Sequence, residues 1–181
     1  MKIKINRESF QKVFQIASAV APTRSPKAIL QNVKLNVTEK ETILTATDVE
    51  IGVRLNVMDV SVEAPGSAVI PVNRLNMILR ESSDEFLVIE ADSEGTLITG
   101  NNSRFELSAH NPDEFPEVAG FVEKDYFEIA SGVLKEMIHR TLFATDAESS
   151  RYALGGILLE MSDDRMIAVG TDGRRLAKME G

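Results

Sequence analysis

Cysteine is absent from this 181-residue chain, and so is tryptophan. The first absence excludes a disulfide framework and every thiolate metal site. The two histidines, His110 and His139, stand alone without ligand-like spacing, so the residue types give little support to a transition-metal site, and no cofactor is expected. No apolar run approaches the roughly 20 residues that span a bilayer. Met1-Lys2-Ile3-Lys4 leads directly into an alternating segment in place of a signal-peptide apolar region, so no membrane association and a cytoplasmic location are expected. A basic excess is lacking too: 20 Lys and Arg stand against 28 Asp and Glu, a net charge of −8. Taken alone, that balance opposes a protein that grips nucleic acid by neutralising many phosphates.

What is present is a 43% apolar chain with few aromatics, whose core must come mainly from Ile, Leu, Val, Ala, Met and Phe. Period-two alternation dominates. It is plain in Val33-Lys34-Leu35-Asn36-Val37, in Ile51 to Val57 and in Arg104 to Ala109, which predict strands with one wet face. Thr42 to Thr47, Ala68 to Pro71, Phe86 to Glu90 and Thr96 to Gly100 add further strands, joined by short turn sequences that suit antiparallel hairpins. Two helices interrupt them. In the first, Asn6 can cap, and Phe10, Val13, Phe14 and Ala17 form one apolar stripe. The second starts at about Asn73, with Leu75, Ile78 and Leu79 inward and Arg80 outward. Both are one-sided and follow a strand, so both are expected on the same sheet, in an α+β architecture.

After Asn111-Pro112-Asp113-Glu114-Phe115-Pro116 the pattern begins again. Asp125 to Ala130 reads as a strand, and Ser131 can cap a helix carrying Leu134, Met137, Ile138 and Thr141. A constant shift of 124 residues, that between Asp48 and Asp172, maps Phe10 to Leu134, Val13 to Met137, Phe14 to Ile138, Leu30 to Leu154, Leu35 to Leu159 and Thr47 to Thr171 without a gap. Two like domains follow, 1–121 complete and 122–181 incomplete. The second copy stops before the counterparts of the second helix and last strands, so the chain reads as a fragment.

Arg151-Tyr152-Ala153-Leu154-Gly155-Gly156 and Val169-Gly170-Thr171-Asp172-Gly173-Arg174-Arg175-Leu176-Ala177 resemble the Arg-Tyr-Tyr-Leu-Asn-Gly and Ala-Thr-Asp-Gly-His-Arg-Leu-Ala segments of bacterial DNA sliding clamps, the beta-subunit family of the replicative polymerase. Pro22-Thr23-Arg24-Ser25-Pro26, Ala46-Thr47-Asp48-Val49-Glu50, Ser103-Arg104-Phe105 and Asp113-Glu114-Phe115-Pro116 agree as well. The resemblance implies the DNA-clamp fold, with antiparallel sheets and two helices in each repeated domain. It also implies a non-enzymatic processivity factor: a head-to-tail homodimer closing as a ring around duplex DNA. Short peptides of the polymerase, the clamp loader and repair proteins would dock in a groove on the second domain. A ring holds DNA by topology, which answers the net-charge objection.

The resemblance selects the site residues. Leu154, Thr171, Gly173, Arg174, Arg175 and Leu176 match the peptide groove, with Arg151 at its edge; Ala153 stands where a second aromatic is common, and Arg174 replaces a frequent His. Arg24 lies on the loop that in the family points toward DNA, and Lys12, Arg80, Lys135 and Arg140, with His139, fall on helices away from the apolar stripes. Arg74, Arg104, Phe105 and Leu107 match the subunit contact. Each has a plainer reading beside it: solvated charges for the cations, ordinary core for Leu154, Leu176 and Phe105, and a simple turn for Thr171-Asp172-Gly173. Asp48 with Glu50, or Asp163 with Asp164, could be taken as carboxylate pairs for metal or acid–base work, but neither has a histidine or nucleophile beside it in sequence. A protein-interaction module that does not encircle DNA is the rival class.

Overall fold

The computed structural model describes residues 1–122, 124–146, 148, 154–162 and 165–181. They form two compact units, Met1–Phe121 and Val122–Gly181. The expectations for Arg151, Tyr152, Ala153 and the Asp163-Asp164 turn lie outside the described residues.

In the first unit, β1 (Lys2–Asn6), α1 (Arg7–Val20), β2 (Asn32–Val37), β3 (Thr42–Thr47), β4 (Gly52–Asn56), β5 (Val60–Ala64), β6 (Gly66–Pro71), α2 (Val72–Glu81), β7 (Phe86–Ala91), β8 (Gly95–Thr99) and β9 (Arg104–Ser108) follow in order. The strands form two antiparallel sheets, β5-β1-β7-β8-β9 and β4-β3-β2-β6. Alternation puts Val33, Leu35, Leu44, Ala46 and Ile70 of one sheet, and Ile3, Ile5, Leu87, Ile89 and Ile98 of the other, into a single core. Phe10 and Phe14 of α1 and Leu75, Ile78 and Leu79 of α2 complete it. Each large side chain so buried contributes about 1.5–3 kcal/mol. Both helices pack on the four-stranded sheet, α1 against β3 and β4 and α2 against β6. Asn6 caps α1 by accepting the Ser9 amide at 3.0 Å. Arg7 ties the start of α1 to the end of α2, donating from Nε to the Asp84 carbonyl at 2.9 Å and from Nη1 to the Leu79 carbonyl at 3.2 Å.

The second unit contains α3 (Ser131–Leu142) and a sheet β10-β11-β12 of Leu158–Ser162, Arg165–Thr171 and Leu176–Glu180. Its register repeats the first with the 124-residue shift. Leu35 pairs with Leu44 as Leu159 does with Ala168; Ile43 pairs with Asn56 as Ile167 does with Glu180. The Val57 amide donates to the Thr42 carbonyl, and the Gly181 amide to that of Met166.

Three expectations are corrected. Asp125 to Ala130 forms no strand. Its counterpart β1 is held between β5 and β7, and among the described residues no strand stands at the matching places to take the backbone hydrogen bonds of 125–130. The N-cap of α3 is Ala130, with no side-chain bond, and Ser131 is the first helical residue. Ile138, expected inward, is 38% exposed, whereas its counterpart Phe14 is fully buried. The reason is a missing neighbour: α1 packs on its sheet and on α2, while α3 packs on β11 and β12 with no second helix beside it among the described residues. The strand Val60–Ala64 was not anticipated.

The repeat therefore makes a differential prediction. Phe14→Ala should cost about 3–5 kcal/mol, and Ile138→Ala, at the matching position, no more than about 1 kcal/mol. Urea denaturation of the two variants checks the contrast; equal losses would contradict it.

Candidate functional site

The Thr-Asp pair closes the turn of each unit with the same four side-chain-to-backbone bonds. In the first, the Thr47 hydroxyl donates to the Ile51 carbonyl at 2.7 Å and accepts the Val49 amide at 2.9 Å. Oδ1 of Asp48 accepts the amides of Glu50 and Ile51 at 2.9 and 2.6 Å. In the second, the Thr171 hydroxyl donates to the Arg175 carbonyl at 2.6 Å and accepts the Gly173 amide at 3.1 Å, and Oδ1 of Asp172 accepts the amides of Arg174 and Arg175, both at 2.9 Å. The third residue is left-handed in both, Val49 with φ of 86° and Gly173 with φ of 85°. The Asp48 carboxylate is thus part of a backbone turn, to which Glu50 contributes its amide. Among the described residues no three His, Asp or Glu side chains gather as a metal site.

The second-unit turn presents a surface. Leu176, the first residue after it, is 65% exposed. Arg174 and Arg175 are exposed as well, while Thr171 and Leu154 are half-buried. The Leu154 carbonyl accepts the Asp146 amide at 2.8 Å. Arg175 is held from two sides: Nε donates to Oδ2 of Asp172 at 3.0 Å, and the guanidinium lies 5.8 Å from the Phe143 ring centre. The Arg174 and Arg175 amides hold the Asp172 carboxyl below the ordinary carboxylate value, and the Arg175 guanidinium adds to the effect.

The first unit offers a groove of about 750 Å³ between α2 and β9, lined by Arg74, Met77, Ile78, Phe105, Leu107 and His110 among others. β9 is the outermost strand of its sheet. Phe105 and Leu107 are half-buried against the core, and Arg104 turns outward to pair with Glu106 at 2.9 Å. Asp84, just past α2, accepts the Ser103 hydroxyl at 3.1 Å, which ties the β8–β9 turn to the connection after the helix.

The expected DNA contacts are all exposed. Three are paired with their own helix neighbours: Lys12 with Glu8 at 3.2 Å, Arg80 with Glu81 at 2.9 Å and Arg140 with Glu136 at 2.6 Å. Lys135, and Arg24 in the loop after α1, have no such partner among the described residues.

Residues 1–119 match the family model for the DNA polymerase III beta subunit, N-terminal domain, and residues 128–180 match that for the central domain. The chain belongs to the DNA polymerase III beta subunit family. A beta sliding clamp of Chlamydia muridarum is 34% identical over 181 residues, covering 99% of this chain and 49% of the relative. A sliding clamp of Pseudomonas aeruginosa, solved bound to griselimycin, is 31% identical with a TM-score of 0.90, covering 100% of this chain and 49% of that one. The Bacillus subtilis clamp shares the fold, with a TM-score of 0.93 at 23% identity over 100% of this chain and 50% of its own. The chain spans about half the length of the curated relatives it matches.

Within this clamp-family frame, Phe143 is the residue that sequence reading passed over. It sits at the C-cap of α3, off the apolar stripe, and only the fold brings it to Arg175.

Because the folded-state Asp172 carboxyl is depressed, the turn gains support that is present above the unfolded value, about 3.9, and is lost as pH falls through the lower folded value. By NMR the Asp172 carboxyl should titrate below an ordinary aspartate. Asp172→Ala should speed hydrogen exchange of the Arg174 and Arg175 amides at neutral pH. An unshifted titration would mean that the two amides are not bound to it in solution.

Proposed function

We propose that this chain is part of a ring-forming sliding clamp that encircles duplex DNA in the bacterial cytoplasm. In this reading it works without catalysis, tethering the replicative polymerase, and serves the clamp loader and repair proteins through short peptides. The observation that carries the reading is the repeat. Two units with one register and one turn, the first ending in an open edge strand, are what a ring of like units joined head to tail requires. Phe105 and Leu107 beside Arg74 and Arg104 are the proposed apolar contact of one subunit with the next in a head-to-tail homodimer. An outermost strand carrying a half-exposed Phe is otherwise an aggregation hazard.

Arg24, Lys12, Arg80, Lys135 and Arg140 are the proposed DNA contacts. Exposed ion pairs such as Lys12–Glu8 are worth only about 0–1 kcal/mol, so exchanging a carboxylate for a passing phosphate costs little. Weak, exchangeable contacts suit a ring that must move along its track. In the protein that carries this chain, circular DNA should be retained and then released on linearisation. Retention that ignores linearisation would instead indicate an interaction module that does not encircle DNA. Arg24→Ala should reduce the salt slope of DNA affinity by about one unit and leave ring closure intact; an unchanged slope removes Arg24 from the DNA surface.

Leu154, Thr171, Gly173, Arg174, Arg175 and Leu176 are the proposed peptide groove, with exposed Leu176 as its apolar floor and Arg175, braced by Asp172 and Phe143, as its polar rim. The solved Pseudomonas aeruginosa clamp holding griselimycin supports the presence of a ligand site in the family. A short peptide has few atoms to bury, so one or two anchors must carry its affinity. Leu176→Ala should weaken a clamp-binding polymerase peptide by about 1–3 kcal/mol with the fold intact. Equal affinities in two equally folded proteins would sink the assignment.

A further inference from the structure

The first unit carries its own copy of the turn and strand that frame Leu176, and there the chain lies on itself. The outer face of the four-stranded sheet presents Lys34, Thr45 and Arg54 in one row and Gly52 opposite Thr47 at the end of the next pair. Across this face runs the segment after the β9 strand. Lys34 Nζ donates to the Pro112 carbonyl at 2.9 Å, and Arg54 Nη1 donates to the Val118 carbonyl at 3.2 Å. Phe115 is buried, Pro116 and Val118 are half-buried, and Glu117 and Ala119 point outward, the alternation of an extended segment.

The seat of Val118 is specific. A Cβ on Gly52 would lie 2.6 Å from Val118 Cγ1, closer than any packing allows. Gly52 does not have a left-handed backbone, so what its missing side chain supplies is space. Its counterpart under the 124-residue shift is Leu176, which projects into solvent. The two units therefore hold opposite states of one frame: a notch filled by the chain's own valine, and an exposed leucine.

We infer that the outer face of the first unit is an extended-peptide site, and that Pro116–Gly120 fills it as a built-in ligand with Val118 as its anchor. The chemistry it accepts is a β-branched aliphatic side chain in the Gly52 notch and a main-chain carbonyl on Arg54. By occupying this face the segment keeps the first unit's copy of the frame from partner peptides, which directs them to Leu176; that last step alone rests on the groove proposed above.

The probe is a synthetic peptide copying Asp113–Phe121, titrated by NMR into the 181-residue chain. In the wild type the built-in segment competes at roughly millimolar effective concentration, so no saturable binding is expected. Val118→Gly should bind one peptide per chain, with shifts centred on Thr45, Gly52 and Arg54. Gly52→Leu should refuse the peptide and also release its own segment. Cleavage by a glutamate-specific protease at Glu117 should then rise about tenfold, because cleavage follows the population of the open form. Arg54→Ala, which removes one hydrogen bond and fills no space, should cleave at a rate between the wild type and Gly52→Leu, and it reports on the segment even where another variant misfolds. Thermal melting of the first unit is the folding control. Equal peptide binding by wild type and Val118→Gly, no binding by a folded Val118→Gly, or wild-type cleavage rates in folded Gly52→Leu and Arg54→Ala would each overturn the inference. None of these results bears on Leu176 affinity, so failure here is separable from failure of the groove.

Discussion

One carboxylate oxygen receiving two backbone amides holds each unit's central hairpin in register. The connection from β3 to β4 must reverse the chain between two paired strands, and the amides at its apex have no ladder partner; Asp48 supplies one for Glu50 and Ile51, and Asp172 does so for Arg174 and Arg175. The threonine before each aspartate closes the turn from the other side. Register follows from this closure. A slip of one residue would exchange the two faces of the strand, sending Leu44 and Ala46 outward and Ile43 and Thr45 into the core. The Val118 seat and the exposure of Leu176 both depend on which face those strands turn outward. A left-handed residue is needed in the turn. Glycine meets that need at 173 without cost, while the first unit places a β-branched Val49 there, a conformation that costs about 1–2 kcal/mol.

Most of the first unit could be read in the sequence, because its apolar pattern and its sheet partners lie in the same chain. The stripe of Phe10, Phe14 and Ala17 and the cap at Asn6 needed only spacing, and the 124-residue shift read from the sequence carries the register of β2, β3 and β4 onto β10, β11 and β12. Two of the failures share one physical reason. Alternation in Asp125 to Ala130 tells which side chains would share a face, and says nothing about whether a neighbouring strand is there to take the hydrogen bonds. The same holds for Ile138, whose position on the stripe is right and whose covering helix is missing from the described residues. Val60–Ala64 was passed over although Val60, Val62 and Ala64 alternate with Ser61 and Glu63, and it lies half-buried at the edge of its sheet.

The candidate sites were legible to different depths. Leu176 and Arg175 came from a resemblance in local motif, and the fold adds that both are exposed at the end of the turn. The proposed subunit-contact residues Arg74, Arg104, Phe105 and Leu107 also came from the resemblance, and the fold adds that Arg74 of α2 lines one groove with Phe105 and Leu107 of β9. Phe143 had no signal in the sequence, because an aromatic after a helix is as readily a surface residue as a platform. The cations gave half their story. Spacing placed Lys12, Arg80 and Arg140 on polar faces, but their pairing with Glu8, Glu81 and Glu136 appears only with side-chain geometry.

The comparison of the two units separates what the fold fixes from what it leaves free. Positions that face inward keep their character under the shift: Leu35 and Leu159, Ala46 and Gly170, Val53 and Ala177 are all apolar or small. Positions that face outward are freer to change it: Lys34 and Thr45 become Leu158 and Val169 and Gly52 becomes Leu176, while Arg54 becomes Lys178 and keeps its charge. A change inward would cost core packing, so it is resisted. A change outward costs almost nothing in stability, and there a single residue decides the surface, as the missing Cβ of Gly52 makes a notch for Val118 where Leu176 makes a knob. Two surfaces with different uses can therefore be carried by one frame within one chain, and the divergence belongs to the few side chains that the shared register turns toward solvent.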